Sequence, residues 1–122
     1  MIIRTKNKFV EKAWGREIIF ANNDMYCGKL LIHDKANSMG SMHFHMKKHE
    51  TFYVQQGSFR IWWIDTSNAK MNSTHLNQGH SWVNSPGFPH QIEALEDNSI
   101  LFEVSTTHYD DDSYRVMPGD GQ

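Results

Sequence analysis

The chain has 122 residues and a mass of 14.2 kDa, room for one domain with one core. A formal net charge of -2 and a pI near 6.4 give no electrostatic case for nucleic acid or an anionic membrane, and 21% charged with 12% aromatic residues is a globular composition. The one cysteine, Cys27, can form no internal disulfide, which points to a reducing compartment. The opening MIIRTKNKFVEK has no apolar leader core and no apolar run is long enough to span a bilayer, so a soluble cytoplasmic protein is expected.

Residues 1–12 mix Ile2 and Ile3 with basic side chains and read as an arm or short leading strand. Glu17 to Phe20 is a predicted strand, followed by a turn at Ala21-Asn22-Asn23-Asp24, since Asn and Asp tolerate left-handed backbone. Tyr26 to His33 alternates as a second strand, with Cys27, Lys29, Leu31 and His33 on one face. Asp34 to Gly40 is a loop. Thr51 to Gln55 is a strand closed by a turn at Gln56-Gly57-Ser58. Phe59 to Asp65 is bulky on both faces, Phe59, Ile61 and Trp63 alternating with Arg60, Trp62 and Ile64. Such a strand is sandwiched between layers or covered by a partner, so the expectation is a homodimer that buries one of Trp62 and Trp63.

Short strands follow at Met71 to Leu76 and Gly79 to Asn84, then a breaker at Ser85-Pro86-Gly87-Phe88-Pro89. His90 to Leu95 and Ser99 to Ser105 are the last predicted strands, and residues 106–122 read as a polar tail. No segment of ten residues shows a helical period. Many short strands with turn chemistry between them argue for an all-β sandwich or barrel, a single domain over residues 1–122.

The stretch from His43 to Gly57, HFHMKKHETFYVQQG, carries the chemistry. Residues two apart on a strand share a face, so His43 and His45 can present imidazoles to one centre. Two imidazoles and a carboxylate suit a divalent transition metal: Zn, Mn, Fe, Ni or Co. The spacing of His43, His45, Glu50 and Gly57 resembles the first signature motif of the cupin superfamily, and Gly79, Pro86-Gly87 and His90 resemble the second. The resemblance implies a cupin double-stranded β-helix, the jelly-roll barrel, with a metal held by His43, His45, Glu50 and His90. The Pro-Gly turn would bring His90 in opposite the other three and leave coordination positions open for water or substrate. His49 has the opposite strand parity to Glu50 and is not expected as a ligand. His33, His75, His80 and His108 have no paired spacing and read as surface or satisfied polar residues. Lys47-Lys48 reads as a solvated loop.

The run Glu11-Lys12-Ala13-Trp14-Gly15-Arg16-Glu17, the pair Glu103-Val104 and the stretch from Asp110 to Arg115 are similar to the opening and close of the cupin domain of type II phosphomannose isomerases. That family has Gln-x-His where this chain has His-x-His. The resemblance implies a metal-dependent aldose–ketose isomerase acting on a sugar or sugar phosphate. Arg115 would serve the isomerase site, and Glu93 and Lys29 are further candidates at the barrel mouth. Two other readings stay open: a non-catalytic cupin that binds or senses a small ligand, and another metal cupin enzyme, a dioxygenase or lyase.

Overall fold

A computed structural model describes all residues 1–122 and contains eleven strands and no helix. They are β1 (Lys8–Lys12), β2 (Gly15–Asn22), β3 (Cys27–His33), β4 (Met42–Phe44), β5 (Glu50–Gln56), β6 (Ser58–Asp65), β7 (Lys70–Asn77), β8 (Ser81–Asn84), β9 (His90–Ala94), β10 (Ser99–Ser105) and β11 (Tyr114–Met117). One sheet has the order β1-β2-β3-β10-β5-β8 and the other β11-β4-β9-β6-β7, and every pairing is antiparallel. The two sheets face one another as a jelly-roll barrel, the architecture expected of short alternating strands that must hide one face each. With no helix at all, no helix is long and apolar enough to cross a membrane.

The strand positions follow the turn chemistry of the sequence closely, with one difference. The stretch read as a polar tail contributes β11, which pairs with β4 through Tyr114 opposite Phe44 and Arg115 opposite His43. Its alternation is too short, at four residues, to stand out from the surrounding Asp and Gly.

Inside the barrel, inward residues on four of the strands step from polar to apolar. Glu50 is followed inward by Phe52 and Val54 on β5, Glu103 by Leu101 on β10, Lys29 by Leu31 on β3, and His90 by Ile92 and Ala94 on β9. Register brings like to like: Leu101 lies opposite both Leu31 and Val54, while Glu103 lies opposite Lys29 and Phe52. The result is one apolar core, completed by Phe59, Ile61 and Leu76 of the second sheet, filling one end of the barrel. The polar ends of the same strands are gathered at the other end. Burying a Phe or Leu side chain of this core stabilises the fold by roughly 1.5–3 kcal/mol.

His33 sits at the margin of that core, 1% exposed, stacked on Trp14 with ring centroids 4.3 Å apart and hydrogen-bonded through Nδ1 to Ser38 Oγ at 2.7 Å. It is a satisfied buried histidine, as its unpaired spacing suggested. Burial lowers its pKa to about 4. The unfolded chain therefore takes up this proton near pH 6.5 and the folded chain only near pH 4. Stability from the neutral ring is present above pH 6.5 and is lost as pH falls through that window, by about 3 kcal/mol over the whole span. His33→Gln is expected to flatten the acid limb of the stability curve between pH 6.5 and 4 in urea titrations. An unchanged limb would assign the acid sensitivity to other groups.

Candidate metal centre

Four side chains converge at the polar end of the barrel. His43 lies on β4 and His45 one residue beyond it, Glu50 opens β5, and His90 opens β9 directly opposite His43. One ring nitrogen from each of His43, His45 and His90 lies within 4.8 Å of the other two. Glu50 Oε1 is 3.5 Å from His45 Nε2 and 3.0 Å from His90 Nε2. The Pro86-Gly87 turn ties the two motifs together, for Gly87 at φ 80° donates its N–H to the His45 carbonyl at 2.6 Å. That left-handed position favours glycine.

The tautomers follow from the partners. Nδ1 of His43 meets the Ser41 carbonyl at 3.0 Å, Nδ1 of His45 the Asp112 carbonyl at 2.6 Å, and Nδ1 of His90 the Phe88 carbonyl at 2.9 Å. A carbonyl oxygen only accepts, so each Nδ1 carries a proton, and in the neutral ring Nε2 is the nitrogen with the lone pair. His90 Nε2 is buried with no hydrogen-bond partner, its close approach to Glu50 lacking hydrogen-bond geometry. Burial, then the neighbouring rings of His90 and His45, push the His43 pKa down to about 3, so this ring is neutral at physiological pH. Three imidazoles that turn Nε2 towards a carboxylate, each tied at Nδ1, are a ligand set for a divalent transition metal. The residues fit such an ion, and their carbonyl partners hold each ring in the ligating orientation.

Around this group lies a cavity of about 360 Å³, of a size for a small polar metabolite. Its wall holds three residues that the sequence did not single out as site residues. Lys48 is not in a solvated loop: it is 3% exposed, with Nζ 3.6 Å from Glu50 Oε2 and 3.3 Å from Glu103 Oε2. Burial alone would push the ammonium pKa down, but the Glu103 and Glu50 charges outweigh it and raise it. Burial, then the Glu50 charge, raise the Glu103 carboxyl. Burial works to raise Glu50, and the Lys48 ammonium beside it works against that and lowers the carboxyl. The third, His108, accepts from Lys48 Nζ through Nδ1 at 3.3 Å and therefore donates Nε2–H to Asp110 at 3.1 Å. Inward parity on β10 was the signal available for Glu103. Lys48 and His108 lie outside strands and offered none.

Among the catalytic candidates, Lys29 and Arg115 line this cavity and Glu93 does not. Lys29 is buried, with Nζ 3.8 Å from Glu17 Oε2. Arg115 projects into the mouth and enters none of the protein's ion pairs. Neighbouring acids are occupied elsewhere, Asp112 by the backbone N–H groups of Met46, Lys47 and Lys48 and Asp110 by His108. Glu93 is corrected to the outer face of β9, where it accepts from Trp62 Nε1 at 3.0 Å. It stands three residues from His90, and strand alternation turns it away from the barrel. A larger, more open groove of about 880 Å³ beside the N-terminal arm holds none of the converging imidazoles.

A double-sheet antiparallel barrel with three histidines and a glutamate gathered in its mouth defines a class of small jelly-roll proteins built around a metal-type site. The chain belongs to the cupin family, whose family model, described as Cupin, matches residues 28–116. Among solved structures it is similar to the capsular polysaccharide assembling protein CapF from Staphylococcus aureus, at 18% identity and a TM-score of 0.79, over 93% of this chain and 35% of that one. KdgF from Halomonas sp. matches at 22% identity and a TM-score of 0.67, over 79% of this chain and 81% of KdgF. Oxalate decarboxylase from Bacillus subtilis matches at 20% identity and a TM-score of 0.74, over 92% of this chain and 30% of that one. The chain thus spans about a third of CapF and of oxalate decarboxylase, and these likenesses are of fold. No curated protein matches by sequence.

His45→Ala and His90→Ala are each expected to abolish stoichiometric metal binding by elemental analysis. Full occupancy in both would remove the metal assignment. Asp112→Ala keeps all four candidate ligands but releases the loop that carries His45, and affinity in a competition titration should fall about 10- to 100-fold.

Proposed function

We propose that this protein is a metal-dependent enzyme of small sugars or sugar phosphates, most simply an aldose–ketose isomerase of phosphomannose-isomerase type. The observation that supports this reading best is an unpaired Arg115 guanidinium in the mouth of the cavity, on the strand position opposite His43. Glu103 and Lys29 line the wall between. Isomerisation moves a proton between C2 and C1 of the sugar while negative charge develops on the attached oxygens. A divalent cation on His43, His45, Glu50 and His90 would supply Lewis acidity there.

The chain's own residues take the remaining roles. Glu103, its carboxyl raised by burial and by the Glu50 charge, is suited to accept and return the proton. It replaces Glu93 in that role. Lys48, paired with both carboxylates, steadies Glu103 in its deprotonated form after the proton has gone back. Arg115 offers a permanently charged, bidentate fork to a phosphate or to the developing oxyanion. Lys29, buried beside Glu17, adds positive charge deeper in the wall. The fold relatives include a protein whose name ties it to capsular polysaccharide assembly, which is compatible with saccharide chemistry without requiring it.

The test is a coupled assay on mannose 6-phosphate, glucose 6-phosphate and the unphosphorylated sugars, using metal-loaded protein. Arg115→Ala should keep its metal and its fold while kcat/KM on the phosphorylated substrate falls tenfold or more. If the loaded wild type turns over none of these sugars, the isomerase reading fails. Calorimetric binding without turnover would then assign a ligand-binding role.

A further inference from the structure

The larger groove beside the N-terminal arm is continuous with the metal cavity. Lys8, Ile19, His108 and Asp110 line both, so the two spaces meet at one rim. From that rim the groove is walled by the arm, at Thr5 and Lys6, and by two loops. One loop joins β2 to β3 and carries Asn23 and Tyr26. The other joins β10 to β11 and carries Tyr109 and Asp111. A substrate confined to the cavity leaves all of these walls unused.

The two loops are fixed to each other without any ligand. The Asn22 amide donates to the His108 carbonyl at 3.0 Å and accepts the His108 N–H at 2.9 Å. Thr107 Oγ1 donates to the Asn23 carbonyl at 2.6 Å. Asn23 Oδ1 accepts the N–H groups of Met25 and Tyr26, at 2.9 and 3.1 Å, which sets the backbone that carries Tyr26. Lys47 Nζ lies 5.1 Å from the centre of the Tyr109 ring. Both tyrosines are anchored in this way, yet Tyr26 is 56% and Tyr109 48% exposed. Anchored aromatic rings open to a groove suit a ligand that has an apolar face and a polar rim.

The charges on the walls narrow the choice. Lys6 and Lys8 enter none of the protein's ion pairs, and Asp110 and Asp111 come from the β10–β11 loop. Burial, then Lys29 and Lys48, lower the His108 pKa, so that ring is neutral at physiological pH. Two ammonium groups and two carboxylates leave the groove without net charge. A nucleoside diphosphate would set its phosphates against Asp110 and Asp111. A neutral sugar ring offers a C–H face to the tyrosines and hydroxyls that both donate and accept.

We infer that the groove holds a second, neutral sugar ring of the substrate, so that the reacting aldose carries a glycosyl group on a hydroxyl away from C1 and C2. The inference rests on the saccharide reading of the metal centre and names the class of saccharide. The glycosidic bond takes no part in the reaction, because C1 and C2 of the reacting end must be free for the proton to move between them. The tie between the two loops removes the cost of ordering them on binding.

Calorimetry on metal-loaded wild type compares glucose and mannose with reducing disaccharides, namely maltose, cellobiose, laminaribiose and gentiobiose, and with UDP. At least one disaccharide is expected to bind ~10-fold or more tightly than glucose. Tyr26→Ala and Tyr109→Ala should each erase most of that gain while metal content, circular dichroism and glucose affinity stay as in wild type. Tyr53→Ala, at a 45% exposed tyrosine on β5 outside the groove, should keep the gain. No gain from a second ring, or a gain that survives both groove variants, overturns the inference. UDP bound more tightly than every disaccharide, and released by the same variants, overturns it in favour of a nucleotide tail. Disaccharide binding without turnover sinks the isomerase reading and leaves this inference standing, whereas turnover of a hexose phosphate with no gain from a second ring does the reverse.

Discussion

Asp112 holds the site together from the far end of the chain. Its carboxylate accepts the successive backbone N–H groups of Met46, Lys47 and Lys48, and its carbonyl takes the Nδ1 proton of His45. Those N–H groups belong to the short loop between β4 and β5, which has no ladder partners of its own. Without an acceptor the N–H of buried Lys48 would go unpaired at a cost of about 1–3 kcal/mol. With it, the loop is set in the one shape that aims His45 at His90 and places Lys48 under Glu50 and Glu103. The three N–H groups in turn pull the Asp112 carboxyl below its usual pKa against the opposing effect of burial, so the clamp is ionised at neutral pH.

The charges gathered at this end would be unfavourable singly. A buried carboxylate or ammonium without a partner costs several kcal/mol. Here the signs alternate through space: Glu50, Lys48 and Glu103, with Lys29 paired to Glu17 on the neighbouring strands. Removing Lys48 would leave two carboxylates uncompensated, so the residue is structural and electrostatic at once. The apolar layer of Leu31, Leu101 and Val54 beneath them keeps water from reaching the cluster from the core side.

Much of this was legible in the sequence because strands announce themselves by alternation and turns by Gly, Pro, Asn and Asp. The Pro86-Gly87 turn and the His43, His45, Glu50 and His90 spacing led to the cupin barrel and to the converging group. What stayed hidden lies off the strands or depends on which face is the inside. Lys48 and Asp112 sit in loops, where no period reports burial. Glu93 and Glu103 both lie on strands, but β10 is apolar outward as well as inward, so hydrophobicity did not say which face was the core. Counting from His90 along β9 would have turned Glu93 outward. Trp62 and Trp63 carry the same ambiguity: a strand bulky on both faces tells of cover, not of who provides it.

The clamp also orders events in time. Asp112 and Met46 are separated by 66 residues, and β3 pairs with β10, whose last residues Glu103 to Ser105 lie far beyond it in the chain. Contacts of such long range form late, after the local hairpins have closed. A nascent chain that has left the ribosome only as far as β9 already contains every histidine and the glutamate of the centre, but lacks the acceptor for the His45 ring. The fully ordered centre is therefore complete only once residue 112 is in place. Until then His43 and His90 have their local carbonyl partners, and His45 is the ring still without the acceptor that sets its orientation.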